Sequence, residues 1–165
     1  MSKKRILFVC MGNICRSPAA EGIAKELAEK RGLDGKVEID SAGTLDYHEG
    51  ESPDQRMIKH ASKRGYKLDS KARQFNPEKD FEHFDYILTM DNENYYEITS
   101  LDKRNQFKNK VFKMVSFGNK IKANEVPDPY YSGSDGFENV LDILEDAIEG
   151  LFNKVEDDIR RENKN

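Results

Sequence analysis

Four short apolar segments, each parted from the next by a stretch with helical patterning, constrain this chain more than any other feature. Residues 5–9 (RILFV) form a run of β-formers that reads as a strand buried on both faces. KVEIDSAG at 36–43 alternates like a strand and ends in small residues, while FDYILTMD at 84–91 and NKVFKMVSF at 109–117 supply the third and fourth candidates. From Ser17 the sequence SPAAEGIAKELAEKRG predicts a helix. Ser17 is its expected cap, Pro18 its first helical residue, Glu21 an acid of the first turn and Gly32 its stop. Ser52, Pro53 and a closing Gly65 repeat that formula, and a polar helix is expected from about Asn92. The strongest helical stripe covers 137–159, where Phe137, Val140, Leu141, Leu144, Ile148, Leu151, Phe152 and Val155 share one face. The tail RRENKN, residues 160–165, is predicted to fray.

Strands alternating with helices imply a mostly parallel, twisted four-stranded sheet covered by helices on both faces and joined by right-handed crossovers. The expected class is therefore α/β, flavodoxin-like or Rossmann-like, and at 165 residues one domain spanning 1–165. Such sheets bind ligands beyond the carboxyl ends of their strands, beside helix N-termini. Residues 10–17 fall at such a place, so a phosphate loop is expected after the first strand.

Charge narrows the partners. Lys and Arg total 27 against 31 Asp and Glu, a formal charge of −4, whereas a general nucleic-acid binder rests on a basic face. The apolar run at 6–9 is far shorter than a signal-peptide core, and no stretch approaches the roughly 20 apolar residues of a spanning helix. Two cysteines, Cys10 and Cys15, are too few for a secreted disulfide scaffold. The expectation is a cytoplasmic protein with no membrane or nucleic-acid partner, although export by a route without a signal peptide remains open. A structural zinc site usually needs four ligands, and His48, His60 and His83 show no ligand spacing, so no metal or other cofactor is expected.

The segment CMGNICRS, residues 10–17, carries the chemistry. A loop feeding a helix N-terminus aims unpaired backbone N–H groups at one point and adds the positive end of the helix dipole, a setting that binds phosphate. No Gly-Lys-Ser/Thr follows the glycine, so this is no Walker loop. Arg16 offers a planar fork for two phosphate oxygens and lies six positions beyond Cys10. A cation and a helix N-terminus favour the thiolate, the nucleophilic form of Cys10. Ser17 is placed to hydrogen-bond that sulfur, Asn13 tolerates left-handed backbone, and Gly12 permits close approach.

Cys-x5-Arg-Ser in this setting, with Val9, Gly12, Asn13, Cys15, Arg16, Ser17 and Pro18, resembles the active-site loop of the low-molecular-weight protein tyrosine phosphatases. The resemblance implies hydrolysis of phosphotyrosine and aryl phosphates through a Cys10 thiophosphate, with Arg16 gripping phosphate. Asp128, held between two prolines in VPDPYY, resembles the family's general acid, which protonates the leaving oxygen and then activates water. The same resemblance implies phosphate contacts from Met11, Gly12, Asn13, Ile14, Cys15 and Ser17. It places Leu45 and Met11 as apolar walls, Tyr47 as a stacking platform, and Tyr130 and Tyr131 along the approach. Ser41 would brace the loop near Asn13, and Asp91 would act as a hydrogen-bond brace. Where the family often has a histidine that braces the asparagine, this chain has Ser70, whose shorter hydroxyl would either bridge through water or leave Asn13 less firmly held. Cys15 is expected to capture an oxidised Cys10 as a disulfide, or else to be a small buried side chain.

Partners implied are phosphotyrosine proteins or peptides, with the chain a monomer prone at most to weak self-association. Two rival readings have distinct signatures. An arsenate reductase shares this loop type but passes oxidation to later cysteines, and none follows Cys15. A non-catalytic phosphotyrosine-binding module need not keep Cys10, Arg16 and Asp128 together.

Overall fold

The computed structural model describes residues 3–164. Met1, Ser2 and Asn165, the last residue of the expected frayed tail, lie outside the described residues. Strands β1 (Lys4–Cys10), β2 (Val37–Gly43), β3 (Tyr86–Thr89) and β4 (Val111–Lys113) form one parallel sheet in the order β2-β1-β3-β4. Helices α1 (Arg16–Lys30), α2 (Gln55–Lys63), α3 (Asp80–His83), α4 (Asn92–Leu101) and α5 (Ser134–Asn163) complete the architecture.

The central strand explains the two-sided core. Side chains alternate along a strand, so Ile6, Phe8 and Cys10 enter one apolar layer and Leu7 and Val9 the other. Helices α1 and α5 fill the first layer with Ala20, Ile23, Leu141, Leu144, Ile148 and Phe152. The opposite layer is closed by Phe75, Phe81, Phe84 and Ile98. Because β2 lies on one side of β1 and β3 on the other, the order reverses beside β1. The crevice of an open α/β sheet opens at such a reversal, and here it opens where β1 ends at Cys10.

Several local expectations are corrected. Ser17 does not cap α1: the helix starts at Arg16 behind Cys15, whose side chain makes no cap bond, and Pro18 stands third. Its first turn holds no acid, and Glu21 falls one turn later. Helix α2 is capped by Asp54 rather than Ser52, the Asp54 carboxylate accepting from the N–H groups of Arg56 and Met57. The fourth strand stops at Lys113, and Met114–Phe117 turn as a 3-10 helix that carries Met114 fully into the core. The short helix α3 follows no signal identified in the sequence.

Helix α5 begins earlier and ends later than its apolar stripe. Polar ties lie along its later turns: Arg31 donates to Glu149, Asn153 and Glu156, Tyr86 to Asp158 and Lys4 to Glu162.

Gly150 shows how closely the 3-10 turn packs on α5. A Cβ added there would lie 2.1 Å from the Phe117 carbonyl oxygen, a backbone atom. In an open helix Gly→Ala gains about 1 kcal/mol. Here Gly150→Ala is expected to destabilise the protein by about 1–3 kcal/mol, the range for overpacking. A urea midpoint above the parent's would contradict this packing.

Candidate active site

The loop between β1 and α1 is built from both ends. Thr44 and Leu45 donate backbone N–H groups to the carbonyls of Cys10 and Met11 at 2.9 and 3.0 Å, and Asp54 donates to Ile14 at 2.8 Å. β2 and the start of α2 thus hold the loop's outer carbonyls and leave its N–H groups for an anion. Gly43, paired in register with Cys10, makes the close approach possible. A Cβ at Gly43 would sit 2.8 Å from the Met11 carbonyl oxygen and 3.2 Å from Asn13 Cβ. The space demand expected of Gly12 is milder, since a Cβ there would meet side chains alone, the His48 ring at 3.0 Å and Ile14 at 3.8 Å.

Asn13 carries the turn. Its φ is 58°, a left-handed backbone that asparagine adopts more readily than most residues. Its Nδ2 donates to Ser17 Oγ at 2.7 Å and to Ser41 Oγ at 3.0 Å, while its Oδ1 accepts the Arg73 N–H at 3.0 Å. Ser17 Oγ in turn lies 3.0 Å from Cys10 Sγ. Both ends of the Asn13 amide are thus occupied without any hydrogen bond from Ser70. Beneath this network, Ser41 Oγ donates to buried Glu21 at 2.5 Å, and Lys25 balances the same carboxylate at 2.6 Å.

Arg16 is 2% exposed, and its Nη1 donates to Asp91 Oδ2 at 2.6 Å and to the Val126 carbonyl at 3.0 Å. Asp91 also caps α4, its other oxygen accepting the Asn94 N–H at 2.8 Å. Burial alone would weaken the guanidinium's hold on its proton. The Cys10 sulfur, Asp91 and Asp128 outweigh it and leave the Arg16 pKa above its ordinary value. Asp128 Oδ2 stands 3.8 Å from Arg16 Nη2. Burial first, then Asp54, Cys10 and Asp128, push the Cys15 thiol far above the usual cysteine range, so Cys15 is a protonated thiol. Both cysteines are free and buried.

These groups line a cleft of about 460 Å³. Cys10, 2% exposed, lies at its floor with Gly12, Cys15 and Arg16, and Met11, Ile14, Leu45, Tyr47, His48, Asp128, Tyr130 and Tyr131 form its walls. Tyr47 and Tyr131, 82% and 96% exposed, stand at the rim with little packing to restrain them. The larger groove between α1 and α5, about 740 Å³, contains no cysteine or histidine, and Asp146 there is occupied by three backbone N–H groups. No cluster among the described residues has the composition of a metal site. Of the site residues expected from the sequence, Cys10, Met11, Gly12, Ile14, Cys15, Arg16, Leu45, Tyr47, Asp128, Tyr130 and Tyr131 line the cleft, and Asn13, Ser17, Ser41 and Asp91 lie in the hydrogen-bond network behind it. Missed were Gly43, Asp54, Arg56, Glu21, the Val126 carbonyl and the Arg73 N–H, most of which act through backbone or through contacts distant in sequence.

A thiol at the floor of a helix-terminal anion cradle, with a buried guanidinium beside it and a carboxyl at the rim, defines a cysteine-dependent phosphate-ester hydrolase. The family model for low molecular weight phosphotyrosine protein phosphatase matches residues 5–162. A putative low molecular weight protein-tyrosine-phosphatase of Synechocystis is 50% identical over 151 residues, 92% of this chain and 96% of that one. The crystal structure of an Entamoeba histolytica protein tyrosine phosphatase with Hepes in its active site is 52% identical. It superposes with a TM-score of 0.91 over 94% of this chain and 98% of that chain. A Drosophila arginine phosphatase, 31% identical, superposes with a TM-score of 0.84 over 91% of this chain and 96% of its own. The chain belongs to the low molecular weight protein tyrosine phosphatase family.

Two substitutions separate the two duties of Asn13. Asn13→Gly keeps the left-handed backbone but loses the side-chain bonds, whereas Asn13→Ala loses both. Each is expected to weaken inorganic phosphate binding about tenfold or more, read by calorimetry, and Ala to cost about 1 kcal/mol more stability than Gly. Parental phosphate affinity in both variants would show that the loop does not depend on this side chain.

Proposed function

We propose that the chain hydrolyses phosphotyrosine in proteins or peptides with Cys10 as nucleophile, Arg16 as phosphate clamp and Asp128 as general acid and base. The observation that carries this reading is the clamped guanidinium. Asp91 and Val126 occupy Nη1 of a buried Arg16, while Nη2 faces Asp128 at 3.8 Å, beyond hydrogen-bond reach, so Nε and Nη2 keep their N–H groups for phosphate oxygens above the Cys10 sulfur. The thiolate attacks phosphorus in line, the S–P bond forms, and the P–O bond to tyrosine breaks as Asp128 gives its proton to the phenolic oxygen. Water then attacks the thiophosphate, its proton passes to Asp128, and the S–P bond breaks to release phosphate and the thiolate. Ser17 Oγ, 3.0 Å from the sulfur, stabilises the thiolate before attack and on departure.

The cleft favours an aryl ester. Cys10 lies beneath walls of Met11, Ile14, Leu45 and three tyrosines, so a phosphate on a phenyl ring reaches the sulfur where one on a short serine side chain falls short. The same apolar walls suit a ring better than a charged phosphoguanidinium. We read the molecule as one domain acting as a monomer. No helix among the described residues is long and apolar enough to cross a membrane. When peroxide oxidises Cys10 to a sulfenic acid, attack by the Cys15 sulfur on the Cys10 sulfur, with the Cys15 proton passing to the departing hydroxyl, would form a disulfide and release water.

Phosphate release from matched phosphotyrosine, phosphoserine and phosphoarginine peptides, in EDTA and reductant, tests this reading. Rapid release is expected from phosphotyrosine alone and none from Cys10→Ser. Asp128→Ala should lower turnover about 10²–10⁴-fold, the usual weight of a general acid. Parental turnover in Asp128→Ala would remove that assignment, and faster release from phosphoarginine would reassign the substrate.

A further inference from the structure

Asp128 sits on a segment, 127–133, with few ties to the rest of the molecule. At one end Val126 is fully buried and bonded to Met90 and Arg16; at the other, α5 begins. Between these ends the segment is exposed except at Pro129, which is buried, and its internal bonds run from the Tyr130 N–H to Asp128 Oδ1 at 3.0 Å and from the Ser132 N–H to the Pro129 carbonyl at 2.9 Å. Among the described residues, Gly136 of α5 donates its N–H to the Gly133 carbonyl at 3.0 Å, Arg16 Nη2 stands 3.8 Å from Asp128 Oδ2, and the one side-chain hydrogen bond that reaches the segment from outside is that of Arg56, whose Nη1 donates to the Tyr130 carbonyl at 2.9 Å.

Arg56 is itself held in a fixed pose. Its Nε and Nη2 fork onto Asp54 at 3.1 and 2.9 Å, and its guanidinium lies 5.1 Å from the centre of the Tyr130 ring and 4.9 Å from that of Phe137. Asp54 in turn caps α2 and donates its N–H to Ile14 of the phosphate loop. An unbroken chain of contacts thus runs from the loop around the nucleophile, through Asp54 and Arg56, to the residue whose N–H orients the Asp128 carboxylate. A bidentate fork and two aromatic faces suit arginine and not lysine.

We infer that Arg56 is a positioning residue that holds Tyr130, and through it the Asp128 carboxyl, over the leaving oxygen of a substrate seated on Cys10. This rests on the reading of Asp128 as general acid. An acid 1 Å out of place loses much of its effect, and the loss is greatest where the leaving group most needs a proton. A purely structural role for Arg56 would instead lower the rate for all esters alike.

The test compares kcat/KM for a series of aryl phosphates, from an acidic nitrophenol ester to phosphotyrosine, in the parent, Arg56→Ala, Arg56→Lys, Asp128→Ala and the Arg56→Ala/Asp128→Ala double variant. Arg56→Ala is expected to lose about tenfold on phosphotyrosine but less than about threefold on the nitrophenyl ester, with Arg56→Lys between it and the parent. On the Asp128→Ala background, Arg56→Ala should cost less than about twofold, because two groups acting through one step are not additive. Equal losses along the series, or full additivity in the double variant, would overturn the inference. Thermal melts identify unfolding, and if Arg56→Ala does not fold, Arg56→Lys carries the comparison alone, where an unchanged leaving-group dependence overturns it. An Asp128→Ala enzyme with the parent's rates along the whole series would instead remove the acid itself and the inference with it.

Discussion

The site depends on one buried cation being compensated from two directions. Arg16 has given up almost all of its water: Asp128 stands 3.8 Å from its Nη2, while its Nη1 donates to Asp91 and to the Val126 carbonyl. These partners come from chain segments 75 and 110 residues away. Removing one partner of a buried pair costs about 3–5 kcal/mol, because a naked charge remains behind. An exposed pair such as Arg160 with Glu156 contributes about 0–1 kcal/mol. Folding α4 and the segment before Asp128 into place is therefore the same event as completing the anion cradle. A phosphate dianion arriving there meets a fork whose orientation has already been set.

The sheet turns this local chemistry into a cleft. β1 is central, with neighbours diverging to either side, and Cys10 is its last residue. The loop that follows is pressed against the end of β2, where Gly43 leaves room for the Met11 carbonyl, and its outer carbonyls are satisfied by Thr44, Leu45 and Asp54. What is left pointing inward is a set of donors. The apolar and aromatic walls rise from that floor, and in the proposed function they select the length and shape of the ester.

Much of this was legible in the sequence because it is written locally. The run RILFV, the Cys-x5-Arg-Ser spacing and the prolines around Asp128 each declare themselves within a few residues. What failed was local grammar applied where tertiary contacts decide. Ser17 looks like a helix cap, yet its hydroxyl serves Cys10 and Asn13. The apolar stripe gives no sign of how far α5 runs beyond Ile159, yet the helix continues to Asn163, with Lys4 paired to Glu162. Gly12 draws attention inside the motif, whereas Gly43, thirty-one positions further on, makes the tighter approach. Arg56 is one arginine among many in a charged chain, and its place beside Tyr130 follows only from how α2 and α5 pack.

The most direct test of the account is to catch the covalent intermediate. Rapid acid quenching during turnover of a phosphotyrosine peptide, followed by digestion and mass spectrometry, locates any phosphate carried by the protein. The account predicts phosphate on Cys10, formed as fast as tyrosine is released and at up to one equivalent per chain. Tyrosine release without phosphate on the protein, or phosphate on another residue, would contradict it.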